Sequence, residues 1–206
     1  MQGQPRQSAN SIRRWLTLVC FLPLLYGCVT TVATEVAGAA LGAAMKSVGL
    51  TPPDPNAPRP MLVTLSAGEL LNATESGESL SLVVRLYQLR NEAGFSTLPY
   101  AKVGNEDSEK AVISEDLVNV RELTLIPGKT YQLEEQVEPG VKVIGVVALF
   151  RDPAPNRWKL AFNRETSEET GIAVGFHSCA MTVAEGELTD AGATDATRSL
   201  SGIRCF

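Results

Sequence analysis

The feature that most constrains the fold of this chain is an apolar run of ten residues, Val141–Phe150. Lys142 is its one charged residue, β-branched side chains dominate it, and Asp152-Pro153 follows it as a turn signal. Such a run is too short to cross a bilayer as a helix. A short β-branched run between turn signals predicts instead a strand that is buried on both faces. Gly145 within the run predicts a close backbone approach or a bulge.

The rest of the chain beyond residue 60 divides into short alternating segments. Trp158, Leu160 and Phe162 alternate with smaller or charged residues, which predicts a partner strand that forms the centre of a sandwich with the apolar run. Further strands are predicted at Met61–Ala67, Leu80–Leu89, Val120–Ile126, Thr130–Val137, Ile172–Val183 and Leu200–Phe206. Loops are predicted at Asn163–Thr170, as an exposed hairpin, and at Glu185–Arg198. Many short strands separated by turns are typical of an all-β, two-sheet sandwich.

The periodicity changes between Arg90 and Asn119, where two short helices are predicted as an insertion between strands. Thr97 precedes Leu98-Pro99, which fits a helix N-cap with proline in the first turn. Ser114 precedes Glu115 and Asp116 and fits a second N-cap. A small helical insertion in the sandwich is therefore expected here.

The N-terminal segment has the pattern of a bacterial lipoprotein signal. Three arginines precede an apolar stretch, Trp15–Tyr26, that is too short and too interrupted for a transmembrane helix. The stretch leads into Leu-Tyr-Gly-Cys, which resembles a lipobox. Residues 1–27 are thus predicted to be a signal peptide, and Cys28 the acylated first residue of the mature chain. The alternative is an uncleaved anchor helix in which Cys28 is incidental.

Residues 28–60 are predicted to be a lipidated tether. Thr31–Leu50 is rich in alanine and glycine, with apolar residues at roughly helical spacing, which predicts a weakly amphipathic helix. Five prolines among residues 51–60 predict a semi-rigid, extended spacer. Acyl chains on Cys28 would hold the protein on a membrane. Val29 follows the cysteine where lipoproteins retained in the inner membrane typically have aspartate. By that analogy the site is the inner leaflet of the outer membrane, with residues 61–206 facing the periplasm.

The charge of the mature chain argues against one class of partner. Removal of the signal peptide, which has three arginines and no acidic residue, changes the formal net charge from −5 to −8. An acidic chain repels the phosphate backbone, so no nucleic-acid partner is expected. The remaining length fits one domain with a substantial hydrophobic core.

Two of the four cysteines remain after processing and lipidation. Cys20 leaves with the signal peptide and Cys28 carries lipid, so Cys179 and Cys205 are predicted to pair in an oxidising compartment. Closing that loop would contribute about 3–4 kcal/mol in the chain-entropy model. The alternative is that both are buried free thiols.

Catalytic chemistry finds little support in the sequence. The chain has a single histidine, His177, which is more often a packed or edge histidine than a catalyst. Glu165, Glu168 and Glu169 are best interpreted as a solvated loop. No zinc, redox, nucleophile-elbow or phosphate-binding motif is present in the sequence. We therefore expect no catalytic residue, no metal or other cofactor, and no small-molecule substrate.

Several segments together resemble one known family. They are Val83–Leu89, Phe95, Ile113–Leu117, Leu125–Gly128, and Ile144–Asp152 with Trp158. In order and spacing they are similar to the TssJ (VasD, SciN) family of type VI secretion lipoproteins. The similarity runs from Cys28 to about Phe162 and thins from Asn163 onward. The resemblance implies a transthyretin-like β-sandwich without enzymatic activity, which tethers the periplasmic domain of the inner-membrane protein TssM to the outer membrane.

The resemblance also implies that the loop between the first two strands, Gly68–Ser79, carries the contact with TssM. The candidate partner-binding residues are Glu69, Leu70, Leu71, Asn72, Thr74, Glu75, Ser76 and Glu78. Leu70 and Leu71 either end the first strand or form an exposed apolar anchor. Because the loop is polar, replacing Asn72–Ser79 is expected to change stability little.

Two other classes of function remain open at this point. The first is a lipid-anchored periplasmic binding module for another protein or a glycan, which an aromatic-lined surface groove would favour. The second, more distant, is a lipoprotein hydrolase, for which clustered polar residues around His177 would speak.

Overall fold

The computed structural model describes Asp54 and residues 56–205. The predicted signal peptide, Cys28 and most of the predicted tether lie outside the described residues. Eight strands and three α-helices follow one another in this part of the chain. The strands are β1 (Arg59–Ala67), β2 (Leu82–Leu89), β3 (Leu117–Leu125), β4 (Thr130–Val137), β5 (Val143–Ala148), β6 (Lys159–Asn163), β7 (Ile172–Phe176) and β8 (Met181–Glu185). The helices are α1 (Ala93–Thr97), α2 (Glu106–Ile113) and α3 (Ala191–Thr197), with short 3-10 turns at Tyr100–Lys102 and Ser114–Asp116.

The strands form two four-stranded sheets that pack face to face. The first sheet has the order β4-β1-β7-β8 and the second the order β3-β2-β5-β6. Every pairing is antiparallel except that of β1 with β7, which is parallel. The predicted all-β, two-sheet sandwich is therefore confirmed, with β1 beginning two residues earlier than expected.

The core lies between the two sheets, where alternate residues of each strand meet. The fully buried side chains of this layer include Val63, Leu65, Leu82, Val84, Val146, Phe162, Val174 and Phe176. Alternation inside the strands thus produces the sandwich core directly from the sequence pattern.

All six residues of β5 are buried, as the apolar run predicted. The inner face of β5 joins the sandwich core, and the outer face is covered by the helical insertion. Gly145 pairs regularly with Tyr87 and Ala161, so there is no bulge. The close approach is made by the ring of Phe95, since a Cβ on Gly145 would lie 2.6 Å from that ring.

β6 pairs with β5 as expected, but it lies at the edge of its sheet rather than at the centre. The segment 187–189 covers that edge. Asn163 N–H donates to Glu187 O at 2.8 Å, and Thr189 N–H donates to Ala161 O at 2.9 Å. The edge of β6 is thereby protected from pairing with another chain.

The helical insertion is confirmed, but its predicted caps are wrong. Thr97 ends α1, and Ser114 directly follows α2. The cap of α2 is Asn105, whose Oδ1 accepts the Ser108 N–H at 2.9 Å. Thr97-Leu98-Pro99 and Ser114-Glu115 have the composition of an N-cap. Neither is followed by the periodic apolar residues that a helix requires.

The chain after β6 differs most from expectation. Residues 164–171 do not form a hairpin, because they connect the second sheet to the first, and Ser167 is fully buried among them. The predicted strand at Ile172–Val183 is divided into β7 and β8 by a turn. The predicted loop at Glu185–Arg198 contains α3, capped by Asp190. Residues 200–205 form no strand.

Candidate partner-binding site

One end of the sandwich gathers four chain connections. Ala67 of β1 lies opposite Phe176 of β7, and Leu82 of β2 lies opposite Leu125 of β3. The β1–β2 loop therefore shares this end, here called the loop end, with the β3–β4 turn, the β5–β6 connection and the β7–β8 turn. The β1–β2 loop is the longest of the four and contains all the predicted partner-binding residues.

The base of the β1–β2 loop is fixed to the β7–β8 turn by backbone hydrogen bonds. The N–H groups of Gly68, Asn72 and Ala73 donate to the carbonyls of Phe176, His177 and Ser178, at distances of 2.8, 3.0 and 3.1 Å. Ser178 Oγ donates in return to Leu70 O at 3.3 Å. The loop base thus continues the β1–β7 pairing beyond the sheet.

Asn72 joins three parts of the chain at the loop end. Its Nδ2 donates to Ser81 O at 3.0 Å, and its Oδ1 accepts the Arg151 N–H at 2.7 Å. Its backbone is left-handed, with φ 46°, which asparagine tolerates better than most residues. Because Asn72 is 7% exposed, it supports the loop from within.

The exposed tip of the loop, Thr74–Glu78, makes its hydrogen bonds within itself. Thr74 N–H donates to Glu78 O at 2.9 Å, and Thr74 Oγ1 accepts the Glu78 N–H at 3.1 Å. Gly77 has φ 82°, which suits the turn at this point. Ser79, just after the tip, bridges back to the base, since its Oγ accepts from Leu71 N at 3.2 Å and donates to Glu69 O at 2.5 Å.

The two leucines of the loop are divided between core and surface. Leu71 is fully buried in the sandwich core, whereas Leu70 is 48% exposed. Neither belongs to β1. Leu71 and Asn72 therefore do not fit their predicted role as partner contacts, because neither presents its side chain to solvent. Among the predicted partner-binding residues, those that remain at the surface of the loop are Glu69, Leu70, Thr74, Glu75, Ser76 and Glu78.

The expectation that Asn72–Ser79 can be replaced at little cost is corrected by this geometry. Asn72, Ala73 and Ser79 hold the loop base, so replacing them would leave the part-buried N–H groups of Arg151 and Leu71 without their acceptors. The tip alone is free of such contacts.

Two further exposed apolar side chains lie at the loop end. Leu80 is 38% exposed and ends the β1–β2 loop, and Ile126 is 53% exposed and begins the β3–β4 turn. The β3–β4 turn bonds to the loop base, because Gly128 N–H donates to Gly68 O at 3.2 Å. The loop end thus combines apolar side chains with the carboxylates of Glu69, Glu75 and Glu78. The sequence left two alternatives for Leu70, the end of the first strand or an exposed anchor, and gave no signal for Ile126, which resembles the last residue of a strand.

A disulfide holds the C-terminal segment at the loop end. Cys179 lies in the β7–β8 turn, and the Cα atoms of Cys179 and Cys205 are 5.6 Å apart. Cys179 is buried with Ala154 and Ala180, and Ile203 packs against this cluster. Ala154 N–H donates to Cys179 O at 2.8 Å, which ties the turn to the β5–β6 connection.

A buried polar network fastens the helical insertion to the outer face of the second sheet. Glu109 of α2 accepts hydrogen bonds from Arg85 Nη2 at 3.0 Å, Tyr87 Oη at 2.9 Å and Gly104 N at 2.5 Å. Arg85 Nη1 also donates to Glu122 at 2.7 Å. Burial, strengthened by the hydrogen bond to Glu109, raises the pKa of the Tyr87 hydroxyl. The network explains why charged residues lie in an otherwise apolar interface.

Lys159 ties the insertion to β6. Its Nζ donates to the carbonyls of Phe95, Ser96 and Leu98 at 2.8, 2.8 and 2.9 Å, which uses all three of its donors. Burial lowers the pKa of this ammonium group, while the three carbonyls favour its charged form. Lys159 therefore acts as a cap on the C-terminal end of α1.

An aromatic-lined cavity of about 400 Å³ lies between the insertion and the C-terminal region. Phe95, Trp158 and Leu188 are among its lining residues, with Glu92 and Asp190. Trp158 packs edge-on against Tyr100, with ring centroids 4.9 Å apart. All three donors of Lys159 are used in hydrogen bonds within the protein, and Trp158 packs against Tyr100. Both side chains therefore stabilise the helical insertion.

His177 shows no arrangement typical of nucleophilic catalysis. Its Nε2 lies 2.9 Å from Thr182 Oγ1, and Ser178 Oγ bonds to Leu70 O rather than to the imidazole. Burial lowers the pKa of His177. Within residues 56–205, no cluster of histidine, cysteine and acidic side chains could hold a metal ion.

Among the described helices, none has the length and apolar character needed to cross a membrane.

Comparison with solved structures finds the same sandwich in type VI secretion proteins. A chain of a type VI membrane complex aligns with a TM-score of 0.56 and 23% identity, over 61% of this chain and 97% of that one. The lipoprotein TssJ1 of Pseudomonas aeruginosa aligns with a TM-score of 0.53 and 21% identity, over 62% and 96%. A chain in the structure of the TssM C-terminal domain from EAEC aligns with a TM-score of 0.54 and 23% identity, over 60% and 98%. No curated protein sequence matches the chain.

The fold is thus the β-sandwich found in type VI secretion lipoproteins. The model of one family, described as type VI secretion lipoprotein, VasD, EvfM, TssJ, matches residues 59–179, more than half of the chain. The chain belongs to this family, which confirms the resemblance carried by β2, β5 and Trp158. The family is a structural component of the secretion system's membrane complex.

Proposed function

We propose that this protein tethers the periplasmic domain of TssM to the outer membrane, through acyl chains on Cys28 and the β1–β2 loop. The observation that best supports this proposal is that the loop combines a fixed base with an exposed surface. Its base is fixed by Asn72 and by the β7–β8 turn, while Leu70 and the acidic residues face solvent. A rigid base reduces the entropy that is lost when the surface binds a partner.

The chemistry of the loop surface indicates the kind of TssM surface that it fits. Leu70 would enter an apolar depression as an anchor, since buried apolar residues at the centre of an interface dominate its affinity. Glu69, Glu75 and Glu78 would form a polar rim that steers a basic surface towards the loop. Association should therefore weaken as the salt concentration rises.

The family and the lipobox support the proposed location. Type VI lipoproteins of this family are membrane components. Residue 29 is valine, which by analogy favours the outer membrane, with the sandwich facing the periplasm. The solved structure of the TssM C-terminal domain, in which an aligned chain is present, supports TssM as the partner.

Affinity measurements on loop variants test the proposal. The full-length protein, purified in detergent, is titrated against the TssM periplasmic domain as wild type and as Leu70→Ser. Leu62→Ser is the matched control, because Leu62 is 51% exposed but lies on the outer face of β1. We expect Leu70→Ser to weaken binding at least tenfold and Leu62→Ser to leave it unchanged.

Equal affinity of Leu70→Ser and wild type would move the contact away from the loop. The helical insertion from Phe95 to Leu117 would then be the next surface to test.

A second candidate function, a binding module for another protein or a glycan, is favoured by the aromatic-lined cavity beside Trp158. Retention of the protein on immobilised glycan strands, lost in Trp158→Ala, would support it.

A further inference from the structure

We propose that the disulfide between Cys179 and Cys205 positions the β1–β2 loop for its partner, so that the C-terminal segment sets the strength of partner binding. The proposal rests on the proposed function of the loop. The family model ends at Cys179, so Cys205 and the segment that carries it lie outside the matched region. They form an additional element, which is covalently joined to the matched region through Cys179.

The point of action is the β7–β8 turn. The three N–H groups at the loop base all donate to consecutive carbonyls, those of Phe176, His177 and Ser178. Cys179 is the next residue along the chain. Any movement of the turn around Cys179 therefore changes the position of the acceptors that hold Asn72 and Ala73.

The C-terminal segment also holds the turn, through contacts separate from those of the loop. Ile203 and Cys205 pack against the buried cluster of Ala154, Cys179 and Ala180. His177 N–H donates to Ala180 O at 3.0 Å, which closes the turn itself. The turn thus contacts both the loop base and the disulfide-bonded segment.

The segment is fastened at two places. Upstream, the buried guanidinium of Arg157 donates to Ala196 O at 2.5 Å and Ser199 O at 3.1 Å. Downstream, the disulfide is the attachment. Apart from contacts at Cys179, the hydrogen bonds described for residues 200–205 stay within the segment, from Ile203 N to Leu200 O and from Ser201 N to Ser199 Oγ.

Loss of the disulfide would therefore free residues 200–205 and uncover the turn. The turn and the loop base would then become more mobile, and the partner would have to order them on binding. We expect partner affinity to fall about five- to tenfold, while the sandwich stays folded around its separate core.

Three measurements on the full-length protein in detergent test the inference. Mass spectrometry without reduction first establishes the linked Cys179 and Cys205 peptides, two hydrogens lighter than the free pair. Hydrogen exchange then follows the amides of residues 68–73 in wild type and Cys205→Ser. Titration with the TssM periplasmic domain gives the affinity of both. The expected result is faster exchange at the loop base and weaker binding in Cys205→Ser.

Val137→Ala is the control for general destabilisation. Val137 is buried in the sandwich core, but it lies opposite Arg59 at the end of β4 that is far from the loop end. Its truncation should lower the melting temperature without changing the exchange of residues 68–73 or the affinity. Equal effects of Val137→Ala and Cys205→Ser on loop exchange and affinity would contradict the inference.

Reduction of the folded wild type provides a second route if Cys205→Ser fails to fold. Dithiothreitol breaks the sulfur–sulfur bond, each cysteine gains one hydrogen, and the reagent is oxidised to its cyclic disulfide. Unchanged loop exchange after complete reduction would overturn the inference. Because exchange needs no partner, failure of the proposed function is distinguished by Leu70→Ser, which tests binding with the disulfide intact.

Discussion

The side-chain oxygen of Asn72 accepts the backbone N–H of Arg151 at 2.7 Å and so joins the first loop to the end of the central apolar run. The two residues are 79 positions apart in the chain. Asn72 lies in the β1–β2 loop, which connects the two sheets, and Arg151 lies in the β5–β6 connection of the second sheet. The other end of the same amide donates to Ser81 O, where the chain returns towards β2. The backbone N–H of Asn72 donates to His177 O, just after β7 of the first sheet, so this one residue links connections of both sheets at the loop end.

Substitution of Asn72 should separate its two contributions. Asn72→Gly removes both side-chain hydrogen bonds but suits the left-handed backbone, and we expect a loss of about 1–3 kcal/mol in the free energy of unfolding. Asn72→Ala removes the same bonds and strains the backbone, so it should be less stable than Asn72→Gly. Urea unfolding of the three proteins measures the difference. Equal stability of all three would show that the side-chain hydrogen bonds of Asn72 do not stabilise the fold.

Replacement of loop segments should distinguish base from tip. A Gly/Ser replacement of Thr74–Glu78 leaves the base intact and should change the free energy of unfolding by less than about 1 kcal/mol, while weakening TssM binding. The longer replacement of Asn72–Ser79 should destabilise by several times as much, because the part-buried N–H groups of Arg151 and Leu71 lose their acceptors. Thermal unfolding and titration of both variants measure this. A long replacement as stable as the short one would contradict the assigned base.

Glu109 should be far more important for stability than its neighbour Glu106. Glu109→Ala leaves the buried Arg85 and Tyr87 with fewer partners, and we expect a loss of about 3–5 kcal/mol. Glu106 pairs with Lys110 on the surface of the same helix, so Glu106→Ala should have no measurable effect. Urea unfolding tests the pair. Similar losses in both variants would mean that helix content, rather than the buried network, stabilises the insertion.

His177 should make stability sensitive to mild acid. Burial lowers its pKa in the folded state, so below pH 6.5 the unfolded chain binds a proton more readily than the folded one. The free energy of unfolding should therefore fall as pH decreases below that value. His177→Gln keeps a polar partner for Thr182 and should lose less stability between pH 7 and pH 5. Parallel curves for the two proteins would exclude His177 as the source.

Cys28→Ser should leave the sandwich folded but abolish attachment to the outer membrane and secretion, because the acyl chains provide the anchorage. Membrane fractionation and a secretion assay measure the two outcomes. The variant should still bind TssM with unchanged affinity, since Cys28 lies before the spacer. Continued fractionation with outer membranes would refute the lipobox interpretation.

The elements that the sequence predicted well are those in which local pattern and burial agree. β5 is apolar at every position because both of its faces are covered, and this makes it visible in the sequence. β4 alternates because one face is wet, and its bounds are as predicted. The insertion is predicted correctly by its change of period, although the two caps predicted with it are wrong.

The elements that were missed depend on contacts between distant residues. The turn at residues 177–180 contains neither glycine nor proline, so β7 and β8 merge into one pattern. The parallel pairing of β1 with β7 joins residues about 110 positions apart, which no local pattern encodes. α3 is built from alanine, glycine, threonine and aspartate, whose helix propensities are mixed, and Asp190 caps it. In the loop, polar composition concealed that Asn72 and Ser79 hold the base while Leu71 enters the core.

The parallel pairing of β1 has a mechanical consequence for a tether. The chain enters β1 at Arg59, on the N-terminal side where Cys28 is proposed to carry the lipid anchor, and leaves it at Ala67, directly before the loop proposed to bind TssM. A pulling force between membrane and partner would thus run along the axis of this one strand. β1 is hydrogen-bonded on both sides, to β4 over eight positions and to β7 over five. These bonds lie across the direction of pull, so they are loaded in shear and must yield together rather than one after another.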